Sequence, residues 1–118
     1  MTTLEEMVRA LRDVAQAEAV AVINRDGGIV AAALPPSVSP ETFSIMCATI
    51  HGAGMTVSNE LRRGTPRRIV LESNEGCVVI TEAGRRALLV VVLSPSADLD
   101  DMTQALKPFA ELVGQETG

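Results

Sequence analysis

Few side chains in this sequence have the types and spacing that metal binding or nucleophilic chemistry requires. The chain contains one histidine, His51, and two cysteines, Cys47 and Cys77. Cys47 precedes His51 by four residues, so the two would lie one turn apart on a helix and could share a metal ion. A structural zinc site takes about four ligands, and no other ligand-type residue stands at helical spacing from this pair. We therefore expect a structural or surface histidine, two free thiols and no metal site.

The sequence lacks the motifs of nucleotide-binding and hydrolytic enzymes. No P-loop occurs, and the one lysine, Lys107, falls in the last predicted helix. The pair Gly27-Gly28 stands between two apolar runs and opens no helix, unlike the glycines of a dinucleotide-binding turn. Neither a serine elbow nor a pair of carboxylates in a polar setting is present. We expect no catalytic residue, no cofactor and no enzymatic activity.

The composition disfavours several classes of partner. A net charge of −5 argues against general binding to nucleic acid. The chain has two phenylalanines and no tyrosine or tryptophan, although ligand pockets and base-stacking surfaces rely on aromatic rings. No basic start leads into an apolar segment, and no stretch approaches the ~18 apolar residues of a membrane span. We expect a soluble, cytoplasmic protein without membrane insertion.

Four arginines surround the end of one predicted helix and the start of the next strand. They are Arg62, Arg63, Arg67 and Arg68, and Arg85 and Arg86 in the turn before the last strand extend the charge pattern. Two interpretations are open. These residues form a solvated surface, where charge also discourages edge-to-edge aggregation, or they form a docking patch for an acidic protein surface.

The elements that position these residues are clearest between Arg67 and Leu93. This segment holds three runs rich in β-branched residues, and the connections between them are about four residues long. Since parallel strands need a long crossover, such short connections join antiparallel neighbours. The last run, Ala87–Leu93, is apolar throughout, which indicates a central strand covered on both sides.

Ahead of this meander, the pattern predicts a helix and then a hairpin. Thr2 and Thr3 each begin a capping box for the first helix. Asp26-Gly27 lies between two β-branched runs, Val20–Asn24 and Ile29–Ala33. Both turn residues tolerate positive φ, so this is a strong hairpin signal.

Two further helices complete the set. Ser39-Pro40 begins a long second helix, which we expect to end near Arg63, before a glycine. Asp98, Asp100 and Asp101 mark the first turn of the last helix. We expect a kink at Pro108 and an end to the ordered chain at about Val113.

The second helix has two distinct faces. One is an apolar core stripe made of Phe43, Met46, Cys47, Ile50, Gly54, Val57 and Leu61. The other carries Ile45, Ala48, Thr49, Gly52, Met55, Thr56 and Asn59. Glycine in a helix interior costs about 1 kcal/mol relative to alanine, so its presence favours close approach of a helix from a second copy. The alternatives are that one subunit buries both faces, or that the second face is a plain surface.

The ordered set of elements resembles the roadblock family of small domains from about Leu4 to Val113. The resemblance rests on Val22–Gly28, on the small-residue helix ending in Asn59-Glu60-Leu61, and on Arg68–Glu72 through to Leu93. It implies that residues 1–118 form one α+β domain, a profilin-like α/β/α sandwich. Its five-stranded antiparallel sheet would have the order 2-1-5-4-3, with helices 1 and 3 on one face and helix 2 on the other. The last helix departs from the usual pattern at Asp98-Leu99-Asp100 and at Pro108.

The resemblance also implies an assembly and a function. The family includes roadblock-type dynein light chains and prokaryotic partners of Ras-like GTPases, and its members commonly dimerise by pairing the third strand and crossing the second helices. The implied interface is the second face of helix 2 together with Arg68, Ile69, Val70, Leu71 and Glu72. The implied function is a non-catalytic homodimeric adaptor that binds a Ras-like small GTPase and in some members stimulates GTP hydrolysis. Arg62, Arg63, Arg67 and Arg68 are then its docking patch. The alternatives are a nucleotide-insensitive scaffold subunit and a small-ligand sensor.

Overall fold

The computed structural model describes residues 3–118 as three helices and one five-stranded sheet. The elements follow in the order α1 (Leu4–Ala15), β1 (Ala19–Asn24), β2 (Ile29–Ala33), α2 (Pro40–Glu60), β3 (Arg68–Ser73), β4 (Gly76–Ala83), β5 (Ala87–Leu93) and α3 (Leu99–Thr117). The capping box predicted at Thr2 lies outside the described residues.

The sheet is antiparallel throughout, and its strand order β2-β1-β5-β4-β3 confirms the prediction. β5 stands in the middle, between β1 and β4. Each residue from Ala87 to Val91 is at most 1% exposed, so the expected central, doubly covered strand is confirmed. β3 lies at the edge, and within residues 3–118 it pairs with β4 alone.

The side chains of β5 alternate between two helical layers. Leu89 and Val91 pack with residues of α1 and α3, whereas Leu88 and Val90 pack with residues of α2. This is the period-two alternation of a strand that is covered on both faces. The layers are therefore α1 and α3 on one face and α2 on the other, as the resemblance implied.

The first two turns of the chain follow the predicted chemistry. Thr3 caps α1, because its Oγ1 accepts a 3.1 Å hydrogen bond from the backbone N–H of Glu6. In the β1–β2 hairpin, Gly27 adopts a φ of +100°. The N–H of Gly28 donates to the Asp26 carboxylate at 3.0 Å, so Asp26-Gly27 forms the expected turn.

α2 ends at Glu60, earlier than the predicted end near Arg63. The N–H of Arg63 donates to the carbonyl of Ser58 at 2.9 Å, and the N–H of Arg62 donates to the carbonyl of Asn59 at 3.0 Å. This is a Schellman motif with Arg62 in the left-handed conformation at φ 56°. Arginine occupies the position where glycine is usual. The prediction based on Gly64 therefore placed the end of α2 too late.

α3 begins at the predicted acidic turn, where the Asp98 carboxylate accepts a 3.1 Å hydrogen bond from the N–H of Asp101. It then continues to Thr117, beyond the expected end of order at Val113. A contact between two glycines holds this last turn, since a Cβ built on Gly114 would lie 3.0 Å from the Cα of Gly84. In the described part of the chain, no helix combines the length and the apolarity that crossing a membrane requires.

Candidate functional site

α2 rests on the sheet through small and polar side chains rather than through its largest apolar ones. Its buried residues are Ser44, Cys47, Ala48 and His51. Ser44 Oγ donates a 2.5 Å hydrogen bond to the carbonyl of Gly27 in the β1–β2 turn. These side chains bury little apolar area against the sheet, and Met46, Val57 and Leu61 of the same helix stay exposed.

The predicted core stripe of α2 is wrong at three positions. Met46, Val57 and Leu61 are 50%, 61% and 64% exposed, whereas Phe43 and Ile50 pack partly against the buried cluster. Helical periodicity identifies an apolar face but does not say whether the same chain covers it. Several exposed apolar side chains on one side of a helix are typical of a surface that another molecule covers.

Helical spacing puts these exposed side chains on the same side of α2 as Gly54, which approaches the side chain of Ile69 in β3. A Cβ built on Gly54 would be 2.5 Å from Cδ1 of Ile69, so the side chain of Ile69 reaches this face of the helix. Leu71 projects to the same side of the sheet as Ile69 and is 44% exposed. We call the following four residues the apolar flank: Met46, Val57, Leu61 and Leu71.

The second face predicted for α2 borders the β1–β2 turn instead. A Cβ built on Gly27 would lie 3.2 Å from the Cα of Ile45, which places this face away from β3. Its exposed members are Ile45, Thr49, Gly52, Thr56 and Asn59, and Met55 is half-buried. Ala48 packs against the sheet within one chain, and contact of this face with a second copy stays a prediction. The exposed side chains of α2 that lie toward β3 are therefore those of the apolar flank, not those of the predicted second face.

β3 offers an open edge next to the apolar flank. It pairs with β4 in register from Arg68 opposite Thr81 to Ser73 opposite Gly76. Its other edge faces no strand within residues 3–118. Ile69 packs toward α2 and Val70 packs toward the layer of α1 and α3, so the predicted stretch Arg68–Glu72 presents both faces and a free edge.

The structure divides the predicted arginine patch between the two sides of the sheet. Arg62 and Arg63 lie at the C-terminal end of α2. Arg68 instead shares a groove with α3, and Arg67 borders the same groove. All four are exposed, and none forms an ion pair with a described carboxylate. They therefore make two smaller basic surfaces, not one.

Sequence reasoning missed a polar connection between two turns. Arg25, just after β1, donates from Nη2 to Glu82 Oε2 at 2.5 Å and to the carbonyl of Gly84 at 3.1 Å. Its Nε donates to the carbonyl of Arg85 at 2.7 Å. Arg25 thus fastens the β1–β2 turn to the β4–β5 turn. The partners lie 57 to 60 residues apart, so no local spacing could have indicated the contact.

The candidate nucleophiles and bases are held in unreactive forms. Burial, and to a lesser degree the charge of Arg25, lowers the pKa of His51, and Glu82 partly offsets this. Burial raises the pKa of Cys47 to about 11. Burial and the charge of Glu72 also raise the pKa of Cys77. A neutral imidazole and protonated thiols therefore predominate at neutral pH, and the described residues contain no cluster of three metal ligands.

Sequence comparison matches most of the chain to one family of domains. A family model of the Roadblock/LC7 domain matches residues 3–93, which run from the N-cap of α1 to the end of β5. An uncharacterised protein of Methanocaldococcus jannaschii is 28% identical over 92 residues, covering 78% of this chain and 80% of that protein. α3 lies beyond the family match.

Structural comparison extends the likeness through α3. Myxococcus xanthus MglB aligns with a TM-score of 0.91 at 15% identity, covering 99% of this chain and 96% of that chain. Acanthamoeba castellanii profilin II aligns with a TM-score of 0.71 at 14% identity, covering 98% of this chain and all of that one. At identities this low, the two alignments show the fold alone. That fold is the predicted profilin-like sandwich, which is thereby confirmed.

Proposed function

Because the chain belongs to the Roadblock/LC7 domain family, we propose that it is a cytoplasmic, homodimeric and non-catalytic regulator that binds a Ras-like small GTPase. The resemblance to roadblock proteins supplies the class of partner. The observation that carries the proposal is the apolar flank beside the open edge of β3. Within residues 3–118, one copy leaves both features uncovered.

Pairing β3 with its copy would cover both features at once. The free backbone groups of Arg68–Glu72 would complete a ladder between two sheets, giving ten strands in all. The two apolar flanks would then meet on the α2 side of that sheet. Burying one Val, Leu or Met side chain fully contributes about 1.5–3 kcal/mol, so the flank supplies a driving force that ladder pairing alone lacks. Ile45, Thr49 and Gly52 would lie outside this contact.

The end of α2 is the candidate contact for the GTPase. Arg62 and Arg63 follow Leu61 of the apolar flank directly, so positive charge borders an apolar surface. Because the proposed dimer contact covers the apolar flank, Arg62 and Arg63 remain at its rim, where their charge favours an acidic surface of the GTPase. Charge at a rim speeds association and selects partners. Arg67 and Arg68, which were predicted in the same patch, do not take part in this contact.

A non-catalytic role agrees with the state of the titratable side chains. The buried, neutral His51 and the protonated thiols offer no activated nucleophile. Any effect on GTP hydrolysis would come from how this protein positions the GTPase's own groups.

Nucleotide-dependent binding tests the proposal. The Ras-like GTPases of the source organism, loaded with a GTP analogue or with GDP, would be passed over the immobilised chain, and we expect one loaded form to be retained. Replacing Arg62 and Arg63 with glutamate should weaken retention. The matched control replaces Arg85 and Arg86 with glutamate, an equal change of charge on the β4–β5 turn. Equal retention of both nucleotide forms would favour the scaffold alternative, and retention of neither would overturn the proposal.

A further inference from the structure

The face of the sheet opposite α2 carries a groove that the proposed function does not use. α3 packs on β4 and β5, and β3 extends beyond it at the edge of the sheet. The groove between α3 and β3 has a volume of about 700 Å³. Its lining includes Arg67, Arg68, Thr81, Thr103, Lys107 and Glu111. It is formed within one chain and does not depend on dimerisation.

Positive charge is concentrated in this groove although the chain as a whole is acidic. The groove holds two arginines and the chain's one lysine. Arg67, Arg68 and Lys107 are exposed, and none forms an ion pair with a described carboxylate. Glu82 also borders the groove, but its charge is balanced by Arg25 at 2.5 Å. The charges that remain in the groove are three positive side chains and one carboxylate, that of Glu111.

We propose that this groove binds an acidic segment of a second partner protein. The three cations sit on long, exposed side chains and come from two walls, β3 and α3. That arrangement suits several carboxylates spaced along a peptide. A single compact anion such as phosphate would favour donors that converge on one point. The hydroxyl of Thr81, opposite Arg68 in the β3–β4 ladder, adds a neutral donor on the floor.

The groove would remain open in the dimer. Ladder pairing uses the edge of β3, whereas Arg68 stands on the face of the strand, and side chains stand perpendicular to the plane of a sheet. The GTPase contact at Arg62 and Arg63 lies on the other side of the sheet. The protein would therefore hold two different partners on opposite faces.

An NMR titration of the full ¹⁵N-labelled chain with hexaglutamate tests this inference. We expect saturable shifts at Arg68, Thr81, Thr103 and Lys107, with a dissociation constant below about 1 mM that rises with salt. Hexaglutamine is the uncharged control and should cause no such shifts. Tripolyphosphate is the compact-anion control. The absence of saturable shifts, or tighter binding of tripolyphosphate at the same residues, would overturn the proposal.

Matched charge reversals separate a specific groove from general attraction. Arg68→Glu combined with Lys107→Glu should weaken hexaglutamate binding at least about tenfold. Arg85→Glu combined with Arg86→Glu makes the same change of charge outside the groove and should leave affinity within about twofold. Equal losses in both variants would overturn the proposal. Retention of the GTPase by the groove variant would show that the two contacts are independent.

Discussion

The two faces of the sheet are covered in different ways. On one face, Val8 and Leu11 of α1 and Leu106 and Val113 of α3 pack large apolar side chains onto the strands, and each is at most 3% exposed. On the other face, α2 contributes Ser44, Cys47, Ala48 and His51, and several of its larger apolar residues remain at the surface.

This difference separates residues that hold the chain together from residues that are available to partners. The face under α1 and α3 is completed by this chain alone, so its side chains account for much of the stability. The face under α2 is completed only in part. Some of its exposed residues lie toward the open edge of β3, and others, such as Ile45, lie toward the β1–β2 turn. The sharpest experiments compare one substitution on each face.

The largest effect is expected in the face under α1 and α3. Leu89→Ala removes a side chain that is 1% exposed in the central strand, and it should lower the free energy of unfolding by about 2–5 kcal/mol. Met46→Ala, in the apolar flank, should lower it by less than about 1 kcal/mol because that side chain is already half exposed. Urea unfolding at equal, low concentration measures both. Similar losses of unfolding free energy in both variants would show that the two faces contribute equally to stability.

The next effect concerns association rather than folding. Val57→Asp places a charge in the apolar flank and should raise the dimer dissociation constant about 100-fold, equivalent to about 3 kcal/mol. Thr49→Asp places the same charge on the predicted second face of α2 and should change it little. Sedimentation velocity over a concentration series distinguishes the two. A larger effect from Thr49→Asp would restore the second face as the crossing surface.

Two glycines allow a smaller test of the same assignment. Apart from the local helix backbone, a Cβ built on Gly52 would meet no described atom within 4 Å, so Gly52→Ala should stabilise the chain by about 1 kcal/mol through helix propensity. Gly114→Ala meets the backbone of Gly84 at 3.0 Å and should give a net loss of about 1 kcal/mol. Thermal unfolding measures both changes. If Gly52→Ala instead weakens dimerisation, a second copy must approach at that residue.

The smallest effect is the pH dependence that His51 adds beneath α2. Burial lowers its pKa from the ordinary value of 6.5, so the unfolded chain binds this proton more readily than the folded one. Stability should therefore fall as the pH drops through 6.5 toward the lower folded value. Unfolding free energies at about pH 7.5 and about pH 5.5 would be compared with those of His51→Leu. In that variant the free energy of unfolding should decrease less between the two pH values. Identical pH profiles would remove His51 as the cause.

Much of the fold could be predicted because its signals are local. Short connections require antiparallel neighbours, and the unbroken apolar run at Ala87–Leu93 marks a strand with no wet face. The faces of α2 could not be predicted in the same way. Periodicity records which residues are apolar, and it assigned Met46 and Val57 to the core. Ser44 and His51 are buried although polar residues usually lie at the surface.

The site depended further on contacts that sequence spacing does not record. The arginines near β3 are close in sequence, yet the turn after α2 and the alternation of the strand separate Arg62 from Arg68. Lys107 joins Arg68 only because α3 folds back beside the edge of the sheet. Such groupings come from tertiary packing and need the folded chain.

Sedimentation equilibrium of the wild-type chain and of two proline variants tests whether two copies join through the edge of β3. Successive residues of a strand point their N–H groups to opposite edges, and the N–H of Glu82 donates to the carbonyl of Arg67 across the β3–β4 pair. In this register the N–H of Leu71 faces β4 and the N–H of Val70 points outward. Val70→Pro therefore removes an outward donor without disturbing the ladder to β4, whereas Leu71→Pro breaks that ladder. We predict a wild-type mass of two 12.4 kDa chains and a single-chain mass for the proline variant that remains folded. A wild-type mass of one chain at high concentration, or a folded proline variant that still sediments as a dimer, would contradict the account.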